Sequence, residues 1–433
     1  AGVERIEVLR GPQSVPFGTG ASSGVINIVT REASQGTAYG AQAEVGEGHR
    51  ESAYVTYGDR RKTFSFTVSN FYDEGYDFSG SGGESDATRW KAITSKGEYA
   101  LTDALTLGYR TRVASGDYDF DDLNGSATRA ADYVVDDPTL ENTVLERFAS
   151  VFVEAGMLDR TLVHRLRVDE TSNQGTSVSD KQTEVINYRL QYAADGRPVA
   201  TTDHRISALL ERKQDTESDS ADKRTNESAA LEYNGFLGPR LGLQAGARFD
   251  KSDQFEDAVS WNAALSYSAT DRIRMHGSVG RAVVYPTFLE VYGGFGLTGN
   301  RNLDPETNTG FDIGVEYAVG RRGNLGVTYF NERLEDEIAL DGIAFANSDT
   351  ESERQGVELS SELSVSEGTM LRGSYTYTES LNANDEPEIR RPEHELRLGI
   401  HHELKALPLS VDADVRYVDG LEDSQFFGGF QTR

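Results

Sequence analysis

Apolar and polar residues alternate with a period of two along most of this chain, and that pattern limits the fold more than any other feature. Phe64, Phe66 and Val68 interleave with Thr63, Ser65, Thr67 and Ser69. Leu241, Leu243, Ala245, Ala247 and Phe249 interleave with Gly242, Gln244, Gly246 and Arg248. Phe311, Ile313, Val315 and Tyr317 do the same with Asp312, Gly314 and Glu316. Successive side chains of a strand point to opposite faces, so each run has one oily and one wet side. Helical periodicity is nearly absent. The fold class is all-β.

Strand length separates the all-β architectures. Strands of a soluble sandwich usually have about five or six residues, whereas a strand tilted across a bilayer needs roughly ten. Many runs here reach the second figure. Their polar face carries Arg, Glu and Asp, as a water-filled lumen tolerates. Several of the 20 tyrosines fall near strand ends, among them Tyr54, Tyr57, Tyr72, Tyr377 and Tyr417, where interfacial girdles sit. No stretch approaches the roughly 18 consecutive apolar residues of a transmembrane helix. A closed barrel is the other way to satisfy every backbone group inside a membrane.

Nineteen strands are expected between positions 36–46 and 409–419. Tight turns are predicted at Asp59-Arg60-Arg61, Thr102-Asp103, Asp195-Gly196, Gly238-Pro239, Thr270-Asp271 and Arg321-Arg322-Gly323. Longer segments lie at about 73–88, 115–145, 214–226, 283–309, 335–356 and 380–393. Outer-membrane barrels keep short turns at one end and long loops at the other, and the expected order alternates in that way after the first hairpin. An antiparallel ring closes with an even count, so an odd number of further strands is expected beyond Arg433, with Gln425 to Phe430 read as loop.

Net charge is −28, from 71 acidic against 43 basic residues, which argues against nucleic-acid binding. Such acidity suits a solvated surface, cation capture, or life at a cation-bridged lipopolysaccharide layer. There is no cysteine, hence no disulfide and no thiolate metal site. Asp117, Asp119, Asp121 and Asp122 have the alternate spacing of a calcium loop, although no Glu at a fixed offset completes an EF-hand. Structural calcium is one reading of these residues, a solvated acidic loop the other. The seven histidines are scattered, and His401 and His402 fall on opposite faces of one strand. H-E-x-x-H does not occur and no catalytic constellation stands out, so an enzyme is not expected.

Residues Val3 to Arg31 read VERIEVLRGPQSVPFGTGASSGVINIVTR. A strand Val3–Leu9 is broken at Arg10-Gly11-Pro12, and Gly18, Gly20 and Gly24 supply turns before a second strand at Val25–Val29. This segment resembles the closing part of the plug domain of TonB-dependent outer-membrane receptors. Arg10, Gly11, Pro12, Gly18, Gly20, Gly24 and Asn27 carry the likeness. Residues 286–317, PTFLEVYGGFGLTGNRNLDPETNTGFDIGVEY, are similar to a barrel segment of the same family. The resemblance implies a plug remnant over 1–35 and a barrel truncated at its C-terminus over 36–433, from a parent of 22 strands. It implies that Arg10 pairs with a barrel glutamate, for which Glu306 is the candidate. It also implies import of a scarce metal-bearing nutrient, cobalamin or a ferric siderophore, powered by the TonB–ExbB–ExbD complex. A monomer in the outer membrane of a Gram-negative cell is expected, in contact with lipid and lipopolysaccharide. A passive porin would have no plug, and a soluble adhesion protein would have short strands and an apolar core; these are the alternatives.

Overall fold

Strand polarity of the kind described above can be satisfied only if the oily faces all turn the same way. The computed structural model describes residues 3–80, 82–127, 129, 132–176, 180–218, 223–405, 409–425 and 429–432. Nineteen strands close into one barrel: Gly36–Val45, Gly48–Gly58, Lys62–Asp73, Thr88–Ala100, Leu105–Asp119, Glu141–Met157, Leu162–Gly175, Lys181–Ala193, His204–Glu217, Lys223–Leu237, Leu241–Ser252, Ala258–Ser268, Ile273–Val284, Glu306–Ala318, Gly323–Glu335, Ser352–Ser366, Thr369–Leu381, His394–Leu404 and Leu409–Asp419. Each pairs antiparallel with its neighbour in sequence, over 10 to 17 residues per strand.

Register turns the alternation into two surfaces. Leu107 lies opposite Val153, Val153 opposite Leu166, Leu166 opposite Tyr188 and Tyr188 opposite Leu210, one oily row across five strands. These faces look outward: Leu210 is 58% exposed and Val151 57%. The buried positions are largely small or polar, including Ala114, Ser150, Asn187, Arg248, Asp250 and Ser260. A soluble sandwich would reverse that assignment. A continuous apolar outer surface of this extent calls for lipid.

The connections follow the two-ended rule with exceptions. Segments 74–87, 120–140, 285–305, 336–351 and 382–393 join strands at one rim, and short turns such as 59–61 and 238–240 join them at the other. The turn predicted to be tight at Asp195-Gly196 is ten residues long, and the next strand begins only at His204. Asp195 is the reason. Its carboxylate accepts from Thr202 Oγ1 at 2.7 Å, Asp203 N at 3.0 Å and Arg197 Nε at 2.8 Å, which folds 195–203 onto itself. On the long-loop side, the segment expected at 214–226 is shorter, because the flanking strands run to Glu217 and from Lys223.

The even-count expectation is not what closes this ring. With nineteen strands, Leu409–Asp419 runs in the same direction as Gly36–Val45 where they adjoin. Both are exposed along nearly their whole length, with Tyr39 at 82% and Val45 at 84%. The stretch read as loop at 425–430 contributes instead to a small ladder, Glu422–Gln425 with Gly429–Thr432; residues 426–428 lie outside the described set.

Candidate functional site

The residues ahead of the first barrel strand form a separate two-stranded sheet, and the helical turn in it packs against Lys223–Leu237, Leu241–Ser252, Ala258–Ser268 and Ile273–Val284. Val3–Arg10 pairs antiparallel with Gly24–Thr30, and a single helical turn, Ser14–Phe17, sits between them. The glycines expected to permit turns do so: Gly11, Gly18, Gly20 and Gly24 all have positive φ. Gly24 has a second reason, since a Cβ there would stand 2.4 Å from Leu9 O. Asn27 Nδ2 donates to Glu7 Oε2 at 2.8 Å and so braces the hairpin across its two strands.

The segment bridges opposite walls through polar contacts. Arg10 forms an ion pair with Glu358 on Ser352–Ser366. Asn308 Nδ2 donates to Ser22 O at 2.9 Å. Across the lumen, Lys96 Nζ donates to Thr30 O at 2.9 Å, and the Arg31 guanidinium lies 4.5 Å from the centre of the Tyr54 ring. All these partners occupy the inward-facing register of their strands.

The Arg10–Glu306 pair is corrected by this geometry. Glu306 opens its strand at the long-loop rim and accepts from Ile338 N at 2.9 Å. Arg10 reaches the wall several residues below the rim, where Glu358 lies. Sequence reading missed Glu358 because many inward positions carry acids; only register tells which one meets Arg10.

The helical turn packs against a buried charge network. Val15 is 2% exposed, and its Cγ1 sits where a Cβ on Gly246 would be, 2.8 Å away. Beneath it, Arg248 Nε donates to Asp250 Oδ1 at 2.9 Å and Arg248 Nη2 to Glu211 Oε1 at 2.8 Å. Ser228 Oγ accepts from Arg248 Nη2 and donates to Asp250 Oδ1. A buried, hydrogen-bonded cluster of this kind fixes side-chain positions on the wall.

The predicted calcium loop is only partly assembled. Asp117 and Asp119 belong to Leu105–Asp119, and Asp119 is taken by a two-pronged pairing with Arg89 at 3.2 and 3.3 Å. Asp122 caps Leu123 N at 2.8 Å. Asp121 alone joins a carboxylate cluster, with Glu84 and Asp86 of the neighbouring long loop, whose ligand oxygens all lie within 4.8 Å of one another. Asp136 lies against Gly83 and Glu84. Both Asp86 oxygens, Asp121 Oδ2 and Asp136 Oδ1 are buried without a well-formed hydrogen bond, the Phe78 backbone lending Asp86 partial relief. Burial pushes the Glu84 and Asp86 carboxyls above the usual carboxylate range, with the charges of Asp136 and Asp121 adding to it. The missed ligands sit on a different loop, some 35 residues upstream in sequence, so spacing within one loop had no means of finding them.

Comparison with known proteins agrees with this architecture. The family described as TonB dependent receptor-like, beta-barrel matches residues 33–432. The iron-regulated outer membrane virulence protein of Vibrio cholerae serotype O1 is 24% identical over 440 residues, covering 90% of this chain and 65% of that protein. The vitamin B12 transporter BtuB of Vibrio vulnificus is 22% identical over 353 residues, covering 78% of this chain and 55% of that protein. The chain thus spans less than two thirds of these relatives' length. The siderophore receptor PirA from Acinetobacter baumannii superposes with a TM-score of 0.76 at 17% identity, covering 93% of this chain and 71% of that one. A ferric enterobactin receptor (PfeA) from Pseudomonas aeruginosa gives 0.76 at 18%, covering 96% and 73%. An oily-outside, wet-inside barrel with this family match over most of its length is a protein of the outer membrane, and the chain belongs to the TonB-dependent receptor family.

Proposed function

We propose that the protein to which this chain belongs imports a scarce metal-bearing nutrient across the outer membrane, a ferric siderophore first and cobalamin second. The observation that carries the reading is the lumen. A passive pore needs an open channel, whereas here residues 10–31 bridge the cylinder through an exposed ion pair and a few polar bonds. Such contacts exchange readily with water, so the segment can be held at rest and displaced at modest cost. In this reading residues 1–35 are the end of a plug, 36–433 are the barrel, and the TonB–ExbB–ExbD complex supplies the pull. The barrel acts as a monomer among lipid and lipopolysaccharide. Its relatives include proteins named for iron regulation and for vitamin B12 transport, which is why both cargoes are retained. The test is uptake of radiolabelled ferric siderophore and of radiolabelled cobalamin by cells carrying the full-length protein, with and without TonB. Accumulation of one cargo that disappears without TonB is expected. TonB-independent uptake of small solutes in general would instead support a porin.

Structural calcium belongs to the same proposal with a revised ligand set: Glu84, Asp86 and Asp121, with Asp136 beside them. All-oxygen donors with unpaired buried lone pairs fit a hard cation, which takes six to eight oxygens. When bound, the ion would neutralise the cluster and tie together two long loops at the rim.

A further inference from the structure

The rim of short turns repeats one feature that alternation does not require. In four of these turns the residue just ahead of the returning strand is an arginine: Arg61, Arg240, Arg272 and Arg322. Each of their carbonyls accepts from a neighbouring strand, in turn from Ala100 N at 2.7 Å, Ser268 N at 2.8 Å, Ala318 N at 2.8 Å and Ser364 N at 2.6 Å. The four side chains therefore start from equivalent backbone positions at one level of the rim.

Three of them fall on consecutive short turns, 238–240, 269–272 and 319–322, at the foot of Leu241–Ser252, Ile273–Val284 and Gly323–Glu335. Each lies two strands from the next, about 10 Å away at ordinary strand spacing. Arg321 adds a fourth cation to this arc, and Asp271 is the only acid in the three turns. The chain has 71 acidic and 43 basic residues, so the balance here is inverted. Arg272, Arg321 and Arg322 make no ion pair or side-chain hydrogen bond among the described residues. Arg240 is loosely held, 3.9 Å from a fully exposed Asp271 and 3.4 Å from Ala269 O. Arginines of other short turns are already paired, Arg160 with Glu154 at 2.6 Å and Arg197 with Asp195 at 2.6 Å. Just above the arc, register sets Tyr267 beside Leu241, and Tyr317 between Ile273 and Leu325. Both tyrosines are exposed on the oily face.

We propose that this arc binds the phosphate of an anionic phospholipid, held by Arg240, Arg272, Arg321 and Arg322. Short turns of an outer-membrane barrel lie on the periplasmic side, where the leaflet is phospholipid. A lipid fits better than a soluble phosphate because the arc is continuous with the oily belt. Acyl chains meet Leu241, Ile273 and Leu325, and the tyrosine rings sit at headgroup level. Guanidinium forks match phosphate oxygens, and this turn spacing lets two extended side chains close on one phosphate. A zwitterionic headgroup cancels its phosphate with its own ammonium, so a net negative lipid is preferred. The inference does not depend on the import reading.

The test is reconstitution of the full chain into phosphatidylcholine vesicles containing one fifth phosphatidylglycerol. Gentle re-extraction and mass spectrometry then give the lipid retained per barrel. Phosphatidylglycerol is expected at least about fivefold above its share of the vesicle, and less so at high salt. Near a membrane surface each arginine contributes about fivefold in relative affinity. Arg322→Gln is therefore expected to lower the enrichment by about that factor, and Arg272→Gln with Arg322→Gln to erase it. Arg322→Lys, which keeps the charge but loses the fork, is expected to fall between. Arg301→Gln, on the long-loop segment 285–305, is expected to match the parent; an equal loss there would reduce the effect to net charge and overturn the site. Heat-modifiable migration confirms that every variant keeps its barrel. Displacement of the lipid by soluble glycerol phosphate overturns the lipid as occupant. Absence of enrichment, or enrichment unchanged in the double variant, overturns the proposal.

Discussion

Two arginines of this protein make opposite kinds of ion pair, and the difference can be measured. The Arg10 side chain is 68% exposed, so its pairing with Glu358 is screened by water and worth about 0–1 kcal/mol. The Arg248 side chain is 3% exposed, against Asp250 at 1% and Glu211 at 15%. Removing a buried partner strands two carboxylates and costs about 3–5 kcal/mol. Arg248→Met is therefore expected to lower barrel stability by that amount in denaturant unfolding followed by circular dichroism. Arg10→Ala is expected to leave the transition within about 1 kcal/mol of the parent while making residues 10–24 easier to cleave by protease. The alternation told correctly that Arg248 faces inward. It could not tell that Asp250 and Glu211 converge on it, because the first lies two residues along the same strand and the second on another hairpin altogether.

At the scale of elements, the oily face and the N-terminal segment give separate tests. Val151 sits near the middle of Glu141–Met157 and is 57% exposed on the outer side. An arginine at mid-membrane on such a face costs about 2–4 kcal/mol, falling to about 0–1 near the rims. Val151→Arg is accordingly expected to reduce folding yield into lipid vesicles, and Met157→Arg, at the end of the same strand, much less. An equal loss in both would argue that this surface does not meet lipid. Inside, Gly246 leaves room for Val15, and Gly246→Val is expected to push residues 12–18 off the wall without changing the strand content. Protease nicking within 10–24 at unchanged far-ultraviolet circular dichroism would show it. Most strands were legible because period two is strict wherever one face meets lipid and the other water. Their ends were not: the strand after the Asp195 turn starts only at His204, because the Asp195 carboxylate folds 195–203 onto itself, which alternation does not report.

For the whole molecule, the acidity concentrates a problem at the rim, where Glu84, Asp86 and Asp121 crowd together with Asp136 beside them. Burial raises the Glu84 and Asp86 carboxyls, so in the folded protein they hold protons at a pH where ordinary carboxyls have lost them. The sign follows. A carboxyl whose folded pKa is raised disfavours the folded loops once it ionises, so without a cation the two loops are less stable at neutral pH and gain stability as pH falls through the raised value. A bound divalent cation reverses this, because it replaces the protons and favours the ionised cluster. Calcium is therefore expected to slow protease cleavage of segments 74–87 and 120–140 at neutral pH, and its affinity to fall as pH drops through the raised carboxyl values. Asp86→Asn should abolish the calcium effect and, by removing one repelling charge, protect the loops when calcium is absent. Asp119→Asn should leave calcium binding intact, since Arg89 already neutralises that carboxylate. Loops that stay equally cleavable with and without calcium across this range, in the parent and in Asp86→Asn, would mean that these acids are a solvated rim.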